Sequence, residues 1–221
     1  MGDLIINGGN VGLDVGNQQF TVRNLTINGS NTAVKMAWNW GWNFQGITIS
    51  NSQVGFEVGV GSVTGIAIID AVVCDTPVFY RISNATTGPQ SSIVLNNVQA
   101  TNVTAIVGIV GGEIVLAGST GNTYVDTWVQ GNVYAGHDSE NFTRGYVTPI
   151  SKDQSLLEDG RIFGKGRPTY ADYDITEIIS VKDYGAKGDG HTDDTAALQE
   201  VFDMVGPSVS SPPYLYLTWS Q

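Results

Sequence analysis

The sequence predicts an all-β protein, a right-handed parallel β-helix of which the chain holds only a part. Short β-branched runs recur between residues 3 and 125, and their first residues are spaced by 22, 19, 27 and 21 positions. Each run is followed closely by Asn, Asp or Gly, and all 16 asparagines of the 221-residue chain lie before residue 142. The five runs are Leu25-Thr26-Ile27, Ile47-Thr48-Ile49, Ile66-Ala67-Ile68-Ile69, Ile93-Val94-Leu95 and Ile114-Val115-Leu116.

The spacing of these runs distinguishes between repeat architectures. It is too irregular for a helical solenoid and suits one turn of a parallel β-helix with loops of variable length. Asn adopts left-handed backbone conformations at turns, and stacked coils can align such side chains into ladders. An antiparallel sandwich stays open as the structural alternative, because its short strands bounded by turn residues give the same pattern.

A second β-helix is expected to begin near the C-terminus. Residues 181–194 read Val-Lys-Asp-Tyr-Gly-Ala-Lys-Gly-Asp-Gly-His-Thr-Asp-Asp. This stretch resembles the opening of right-handed β-helix domains in the pectate-lyase-like superfamily, which implies an entry strand, a tight glycine loop and a capping helix. Asp193 or Asp194 is expected to accept hydrogen bonds from the first free amides of that helix.

The distribution of charge supports a division of the chain into regions. Residues 1–125 carry 6 acidic and 3 basic side chains, whereas residues 126–221 carry 15 and 7. We therefore expect a partial first β-helix domain at residues 1–125, an inter-domain linker at 126–180, and the truncated start of a second β-helix domain at 181–221.

Composition excludes several classes of partner. The net charge of -11 and the pI near 4.3 argue against binding to nucleic acid or to an anionic membrane surface, and leave a neutral polymer such as a glucan compatible. The longest apolar run, residues 105–118, is interrupted by Glu113 and by glycines, so no transmembrane helix is expected. The single cysteine, Cys74, excludes an internal disulfide.

Five N-glycosylation sequons point to a location for the parent protein. They lie at Asn24, Asn28, Asn84, Asn102 and Asn141. This number favours a secretory pathway and an extracellular glycoprotein. The N-terminal residues have no basic region and no long apolar core, so we expect that this chain carries no signal peptide.

Three segments carry a resemblance to a known family: Asn7-Gly8-Gly9-Asn10, residues 16–25, and Trp38-Asn39-Trp40-Gly41-Trp42. They resemble the first β-helix of fungal exo-β-1,3-glucanases, the glucan 1,3-β-glucosidases of glycoside hydrolase family fifty-five. The resemblance covers residues 3–203, and the tail after Asp203 departs from the family pattern. It implies two tandem β-helices with an active cleft between them and a β-1,3-glucan substrate.

The resemblance also implies where hydrolysis would take place. Glycoside hydrolysis requires a carboxylic acid beside the scissile bond and either a second carboxylate or a positioned water. In this family the general acid is a glutamate deep in the second β-helix, which implies a position beyond Gln221. We therefore assign no catalytic residue, and expect a catalytically incomplete fragment of a glycosidase.

Candidate substrate-binding residues follow from the same resemblance. In the family the first domain supplies polar side chains that hold the water and aromatic ones that stack on sugar, and the matching positions are Gln18, Gln19, Asn39, Trp40 and Trp42. Gln19 lies one coil from Trp40, so both are expected on adjacent rungs of one face. Trp38, Trp40 and Trp42 alternate, which predicts that all three point to one side of a strand, either stacking on glucose or forming a buried aromatic ladder.

Other acidic residues receive structural interpretations. Glu57 and Glu113 are expected at solvent-facing strand positions, and the Asp193-Asp194 pair at a helix cap. The loop around His191 fails the spacing of an EF-hand, so we predict no metal site, and we predict no cofactor.

Two functions stay open. The first is a fragment of a β-1,3-glucan hydrolase, and the alternative is a non-catalytic polysaccharide-binding or structural β-helix such as a tailspike-like module. The tryptophan-rich segment favours the first. The expected partner is β-1,3-glucan or a related polysaccharide, rather than nucleic acid or a membrane, and uncapped β-helix ends predict end-to-end self-association.

Overall fold

The computed structural model describes residues 1–59, 65–82, 92–133, 141–149, 151–164, 174, 178–204 and 214–216. The chain forms two compact units, Met1–Arg167 and Pro168–Gln221. The first unit holds the candidate site.

The first unit consists of strands stacked along one axis. Its main sheet contains β1 (Gly2–Asn7), β2 (Val11–Asn28), β3 (Thr32–Ser50), β4 (Val54–Val58), β5 (Gly65–Cys74), β6 (Val78–Ile82), β7 (Ser92–Ile109), β8 (Ile114–Val133) and β9 (Asn141–Tyr146). A 3-10 turn at Gln154–Leu156 then precedes a hairpin of β10 (Leu157–Glu158) and β11 (Arg161–Ile162). All pairings from β1 to β7 are parallel, which confirms the parallel β-helix over the antiparallel sandwich.

Each coil of the β-helix contributes to three faces. Face A comprises residues 11–15, 32–36, 54–58, 78–82 and 105–109. Face B comprises residues 20–23, 42–45, 66–69 and 93–96. Face C comprises residues 4–7, 25–28, 47–50, 71–74 and 98–101.

Two of the three corners turn through left-handed residues, with φ between +49° and +77°. The corner between faces B and C stacks Asp3, Asn24, Gly46, Asp70 and Asn97, and the corner between faces C and A stacks Gly8, Gly29, Asn51, Asp75 and Asn102. Asn, Asp and Gly are the residues that adopt this conformation at the lowest cost. The prediction that asparagines turn the coils is thereby confirmed.

Side-chain hydrogen bonds join these corner residues from coil to coil. The amide of Asn24 donates to the carboxylate of Asp3 at 2.9 Å, and that of Asn102 donates to Asp75 at 2.8 Å. The amide of Asn97 donates to Asp70 at 2.6 Å. In these three contacts an asparagine amide on one rung donates to an aspartate carboxylate on the preceding rung.

The interior of the coils is apolar and contains a contiguous aromatic cluster. The Trp42 and Phe44 rings lie 5.7 Å apart, and Phe44 meets Phe56 edge to face at 4.9 Å. Phe56 in turn contacts Phe79 and Tyr80. Burial raises the pKa of the Tyr80 hydroxyl above its usual range. Because Phe44 lies on face B and Phe56 on face A, this cluster ties two faces together.

The repeat pattern read from sequence was wrong in two respects. The run at Ile114 does not form a fifth parallel coil, because β8 pairs with β7 in the antiparallel direction and β9 pairs with β8 likewise. The run at Ile66 lies on face B, whereas those at Leu25 and Ile47 lie on face C. Along the first left-handed corner, at positions 3, 24, 46, 70 and 97, the coils are 21, 22, 24 and 27 residues long.

The second unit contains the expected opening elements. Strand β12 (Ile178–Ser180) leads into a 3-10 helix (Val181–Tyr184), and helix α1 (Thr195–Met204) follows the glycine loop. Strand β13 (Tyr214–Tyr216) pairs in parallel with β12. Residues Val181, Ala186 and Val201 form a small buried cluster beneath α1.

The start of α1 is capped as predicted by one of the two candidate aspartates. The Asp193 carboxylate accepts from the backbone amide of Thr195 at 3.0 Å. The Asp194 side chain turns away from the helix and accepts from the amides of Lys187 and Gly188 at 2.8 and 2.7 Å. Asp194 therefore stabilises the glycine loop, and Asp193 caps the helix.

The loop around His191 is held by its own hydrogen bonds. Asp189 accepts from the amides of Thr192 and His191 and from the Thr192 hydroxyl. These bonds, with the Thr192 amide the strongest contributor, lower the pKa of Asp189 to about 2. Across the part of the chain that the structure describes, no group of three or more His, Cys, Asp or Glu side chains is arranged to hold a metal ion.

The predicted domain boundary at residue 125 falls inside strand β8, which continues to Val133. The division at residues 125 and 180 stays a prediction. Among the described residues, no helix is both long and apolar enough to cross a membrane.

Candidate functional site

An open groove of about 730 Å³ lies over face B of the β-helix. It begins at the third corner, between faces A and B, where Gln19 pairs in register with Gly41. Its lining crosses four rungs and consists of Gln19, Phe20, Thr21, Trp40, Gly41, Trp42, Asn43, Gly65, Ile66, Ala67, Ser92 and Val94. The register confirms that Gln19 and the tryptophan segment lie on adjacent rungs.

The floor of the groove is made of small or uncharged side chains in register. Thr21, Asn43, Ala67 and Val94 occupy successive rungs of face B. Their strand neighbours Phe44, Ile68 and Leu95 are fully buried, so alternation directs the floor residues outward. This part of the surface therefore offers hydrogen-bonding and apolar contacts without formal charge.

Glycine at position 41 keeps the groove open beside Trp40. Its φ of +137° is rarely adopted by other residues, and a Cβ added there would have no heavy atom within 4 Å. A side chain at this position would project into the open space of the groove, above its floor.

The three alternating tryptophans do not share one environment. Trp40 is 64% exposed and stands beside the groove, whereas Trp42 is only 3% exposed and stacks on Phe20. The Trp42 indole donates to the backbone carbonyl of Asn17 at 3.1 Å. Trp38 lies over Gly16, where a Cβ would approach the indole to 2.6 Å.

The prediction that these tryptophans point to one side was therefore wrong. Alternation holds from Trp38 through the buried Asn39 to Trp40 and fails at Gly41, whose φ of +137° departs from ordinary strand geometry. As a result Trp42 belongs to the aromatic core ladder, while Trp40 is free to contact a ligand.

Asn39 occupies a structural position within the site. It is fully buried, and its amide donates to the carbonyl of Gly65 on the next rung at 2.8 Å. That bond fixes the backbone on both sides of the groove near Gly41. Gln18 is exposed next to Gln19 but does not line the groove.

Acidic residues outside the groove are engaged in ion pairs or lie in solvent. On face A, Glu57 is half-buried and pairs with Arg81 at 3.1 Å, and Asp14 pairs with Lys35 at 3.3 Å. Glu113 is exposed. The described lining of the groove contains no Asp or Glu, and its side chains are all neutral.

The predicted glycosylation sites differ in the state of their asparagines. The amides of Asn24 and Asn102 donate to Asp3 and Asp75 in the corner ladders. Asn28 accepts from Ser50 and Asn51. Asn84 lies outside the described residues, and only the backbone of Asn141 is described. Glycosylation at these five positions stays a prediction.

Comparisons with known proteins agree with this architecture. A protein-family profile described as "Rhamnogalacturonase A/epimerase, pectate lyase-like" matches residues 1–57 and 178–217. A glucan 1,3-beta-glucosidase of Cochliobolus carbonum is 36% identical over 209 residues, which cover 90% of this chain and 26% of that relative. These matches and the parallel β-helix fit a β-helix fragment similar to glycoside hydrolase family fifty-five.

Two further relatives belong to other fungi. A probable glucan endo-1,3-beta-glucosidase of Arthroderma benhamiae is 29% identical over 310 residues, covering 92% of this chain and 34% of the relative. A non-secreted LysM effector, LysM19 of Penicillium expansum, is 33% identical over 219 residues, covering 91% of this chain and 17% of the relative. This chain therefore spans about a quarter to a third of the length of the two glucosidase relatives.

Sequence reasoning missed most of the groove floor. Asn43, Ala67 and Val94 carry no motif, and Ala67 and Val94 were read only as members of β-branched runs. The signal that would have found them is the strand register: once Gln19 is aligned with Gly41, every second residue of the following strand faces outward.

Proposed function

We propose that face B of this chain is a glycan-binding surface that forms part of the substrate wall of a β-1,3-glucan hydrolase. The observation that carries the proposal is Trp40, a largely exposed indole beside an uncharged groove that crosses four rungs. Sugars present apolar ring faces and uncharged hydroxyls, and aromatic faces with neutral polar groups match both.

Different lining residues would make different kinds of contact with a bound sugar. Trp40 offers the stacking surface, and Gln19 and Asn43 offer amide donors and acceptors at the same groove. Of the other residues implied by family resemblance, Asn39 and Trp42 hold the groove backbone in place, and Gln18 is available to a substrate or a positioned water at the corner. No charged group in the described lining selects for an ionic substrate.

Hydrolysis of β-1,3-glucan is proposed from the relatives rather than from this groove. Two relatives bear glucan β-glucosidase names, and each alignment covers at least 90% of this chain. The same names support a β-1,3-glucan as the substrate, and the five sequons support the extracellular site of action that we propose. A purely structural β-helix is less favoured, because such a role gives no reason for an exposed tryptophan beside an open groove.

The affinity of this surface alone should be low. An aromatic contact contributes roughly 0.5–1.5 kcal/mol beyond area burial. One or two such contacts supply at most about 3 kcal/mol, so the affinity for oligosaccharides should be about millimolar or weaker. The expected ligand is a β-1,3-linked gluco-oligosaccharide.

The test is a calorimetric titration of the full chain with laminari-oligosaccharides and, separately, with cello-oligosaccharides. We expect the native chain to bind the β-1,3-linked series. Trp40→Ala should lose most of this binding, and Trp40→Phe should retain it. Trp38→Ala is the matched control, because it removes an indole next to the groove lining. Equal affinity for both sugar series, or unchanged binding in Trp40→Ala, would contradict the proposal.

We also propose end-to-end association through the first rung. Strand β1 leaves Leu4 and Ile5 exposed, with Ile5 at 70%. A parallel strand with a free edge and exposed apolar side chains can pair with another chain. Light scattering over a range of protein concentrations measures the average molar mass of the native chain and of Ile5→Lys. The substitution should shift the native oligomers toward monomer. A native chain that is monomeric at every concentration would rule out end-to-end association.

A further inference from the structure

We propose that the corner between faces B and C carries a second site, which binds a small hydroxylated ligand through a carboxylate or phosphate group. The site is a separate pocket of about 230 Å³ lined by Arg23, Asn24, Thr26, Gln45, Gly46, Thr48, Asp70, Arg161, Ile162 and Gly164. It shares no lining residue with the groove over face B.

The argument begins with the distribution of positive charge. The described residues of the first unit contain six basic side chains, and four of them have polar partners: Lys35 with Asp14, Arg81 with Glu57, Lys152 with Asp70, and Arg144 with Gln130. The other two are Arg23 and Arg161. Within the described part of the chain, neither guanidinium makes an ion pair or a hydrogen bond, and both line this pocket; Arg23 also lines an adjoining pocket that contains Asp3.

The position of Arg161 is fixed by the coils beneath it. Arg161 begins β11, directly after a tight turn in which Asp159 and Gly160 both have positive φ. The Gly160 carbonyl accepts from Asn97, the Ile162 amide donates to Asp70 at 2.9 Å, and the Ile162 carbonyl accepts from Gln45.

These three anchors lie on three successive coils, so the backbone of the hairpin is attached across the corner ladder. Asp70 is almost fully buried, and its carboxylate also receives the Asn97 amide and lies 3.8 Å from Lys152. Among the described lining residues Asp70 is the one carboxylate, and Lys152 offsets its charge. The described lining then carries two guanidiniums and no carboxylate without a basic partner.

The chemistry of the pocket selects the class of ligand. A guanidinium presents a planar set of donors that matches a carboxylate or a phosphate in a bidentate manner. Thr26, Thr48 and Gln45 supply neutral donors and acceptors that suit sugar hydroxyls. The small volume limits the occupant to about one ring. A sugar acid and a sugar phosphate share the required chemistry.

The experiment compares three ligands on the full chain by isothermal titration calorimetry: glucuronate, glucose 6-phosphate and neutral glucose. We expect at least one charged sugar to bind and glucose not to bind. Binding should weaken at least tenfold in Arg23→Gln and in Arg161→Gln, and should fall as salt is raised. Lys35→Gln is the matched control, because it removes the same charge from face A.

The two charged ligands identify the preferred group. Binding of glucuronate alone supports a carboxylate site, and binding of glucose 6-phosphate alone supports a phosphate site. Arg161→Lys keeps the charge but loses the bidentate geometry, so it should bind more weakly than the native chain and more tightly than Arg161→Gln. Absence of binding by both charged sugars, equal binding of glucose, or equal losses in Lys35→Gln would overturn the proposal. Circular dichroism of each variant confirms that the β-helix is folded.

Discussion

Faces A and B belong to the same coils and have the same inward chemistry, yet their outward surfaces are opposite. On successive rungs, face A presents four charged side chains whose charges alternate in sign: Asp14, Lys35, Glu57 and Arg81. Face B presents Thr21, Asn43, Ala67 and Val94 at the corresponding depth, with no charge. The comparison indicates that the inward residues determine the β-helical fold. The outward residues can differ between a solvated face and a binding face.

The alternation of charge on face A has a simple physical basis. Residues one rung apart in a parallel sheet are about 4.8 Å apart, so like charges would repel and opposite charges attract. Because the pairs are partly solvated, each contributes little to stability. A face of this kind keeps the surface soluble and offers few contacts to a neutral glycan.

The largest expected effect comes from the interior that both faces share. Phe44 is fully buried and contacts both Trp42 and Phe56. Phe44→Ala should lower the free energy of unfolding by about 3–5 kcal/mol through lost burial and a residual cavity. Urea denaturation measures the free energy of unfolding. Trp40→Ala is the control, and it should lower that free energy by about 1 kcal/mol or less. Similar losses in the two variants would contradict the division into inward and outward residues.

A smaller effect is expected at the corner next to face B. Asp70→Ala removes the acceptor of the Ile162 amide and the Asn97 side chain, and leaves Lys152 without its carboxylate. We expect a loss of about 2–3 kcal/mol, because buried donors are left unsatisfied while Lys152 is partly solvated. Hydrogen exchange should show faster exchange at Ile162. If the loss were no larger than for a face A ion pair, burial would not be the deciding factor.

The smallest effect is expected on face A. Glu57→Gln removes the pair with Arg81 and weakens the contact with Thr32. The free energy of unfolding should fall by about 0.5–1 kcal/mol at low salt, since both partners are partly exposed. The difference between native chain and variant should shrink at high salt. A loss above that of Asp70→Ala would reverse the order proposed for the two regions.

The inward pattern is what made the fold predictable from sequence. β-branched runs that end in Asn, Asp or Gly report alternation and left-handed corners, and both depend on local backbone preferences. The pattern did not reveal which face a run belongs to, because faces B and C both contain β-branched residues. Nor did it reveal that Ile114 lies on an antiparallel strand, since strand direction depends on long-range pairing.

The site was only partly predictable for a related reason. Gln19 and Trp40 were identified through family resemblance, and they do meet at the groove. The burial of Trp42 could not be read from alternation, because the backbone conformation of Gly41, with φ of +137°, turns the following side chain inward. Asn43 and Ala67 have no distinctive residue type, and only the register assigns them to the floor.

The most direct test of the account is to map the glycan onto the two faces. In a two-dimensional NMR titration of the labelled full chain with laminarihexaose, we expect amide shifts to change at Thr21, Asn43, Ala67 and Val94, with the Trp40 indole signal moving in parallel. The amides of Lys35 and Glu57 on face A should not move. Shift changes concentrated on face A, or no change at the groove floor of face B at saturating glycan, would contradict the claim that the uncharged groove is the binding surface.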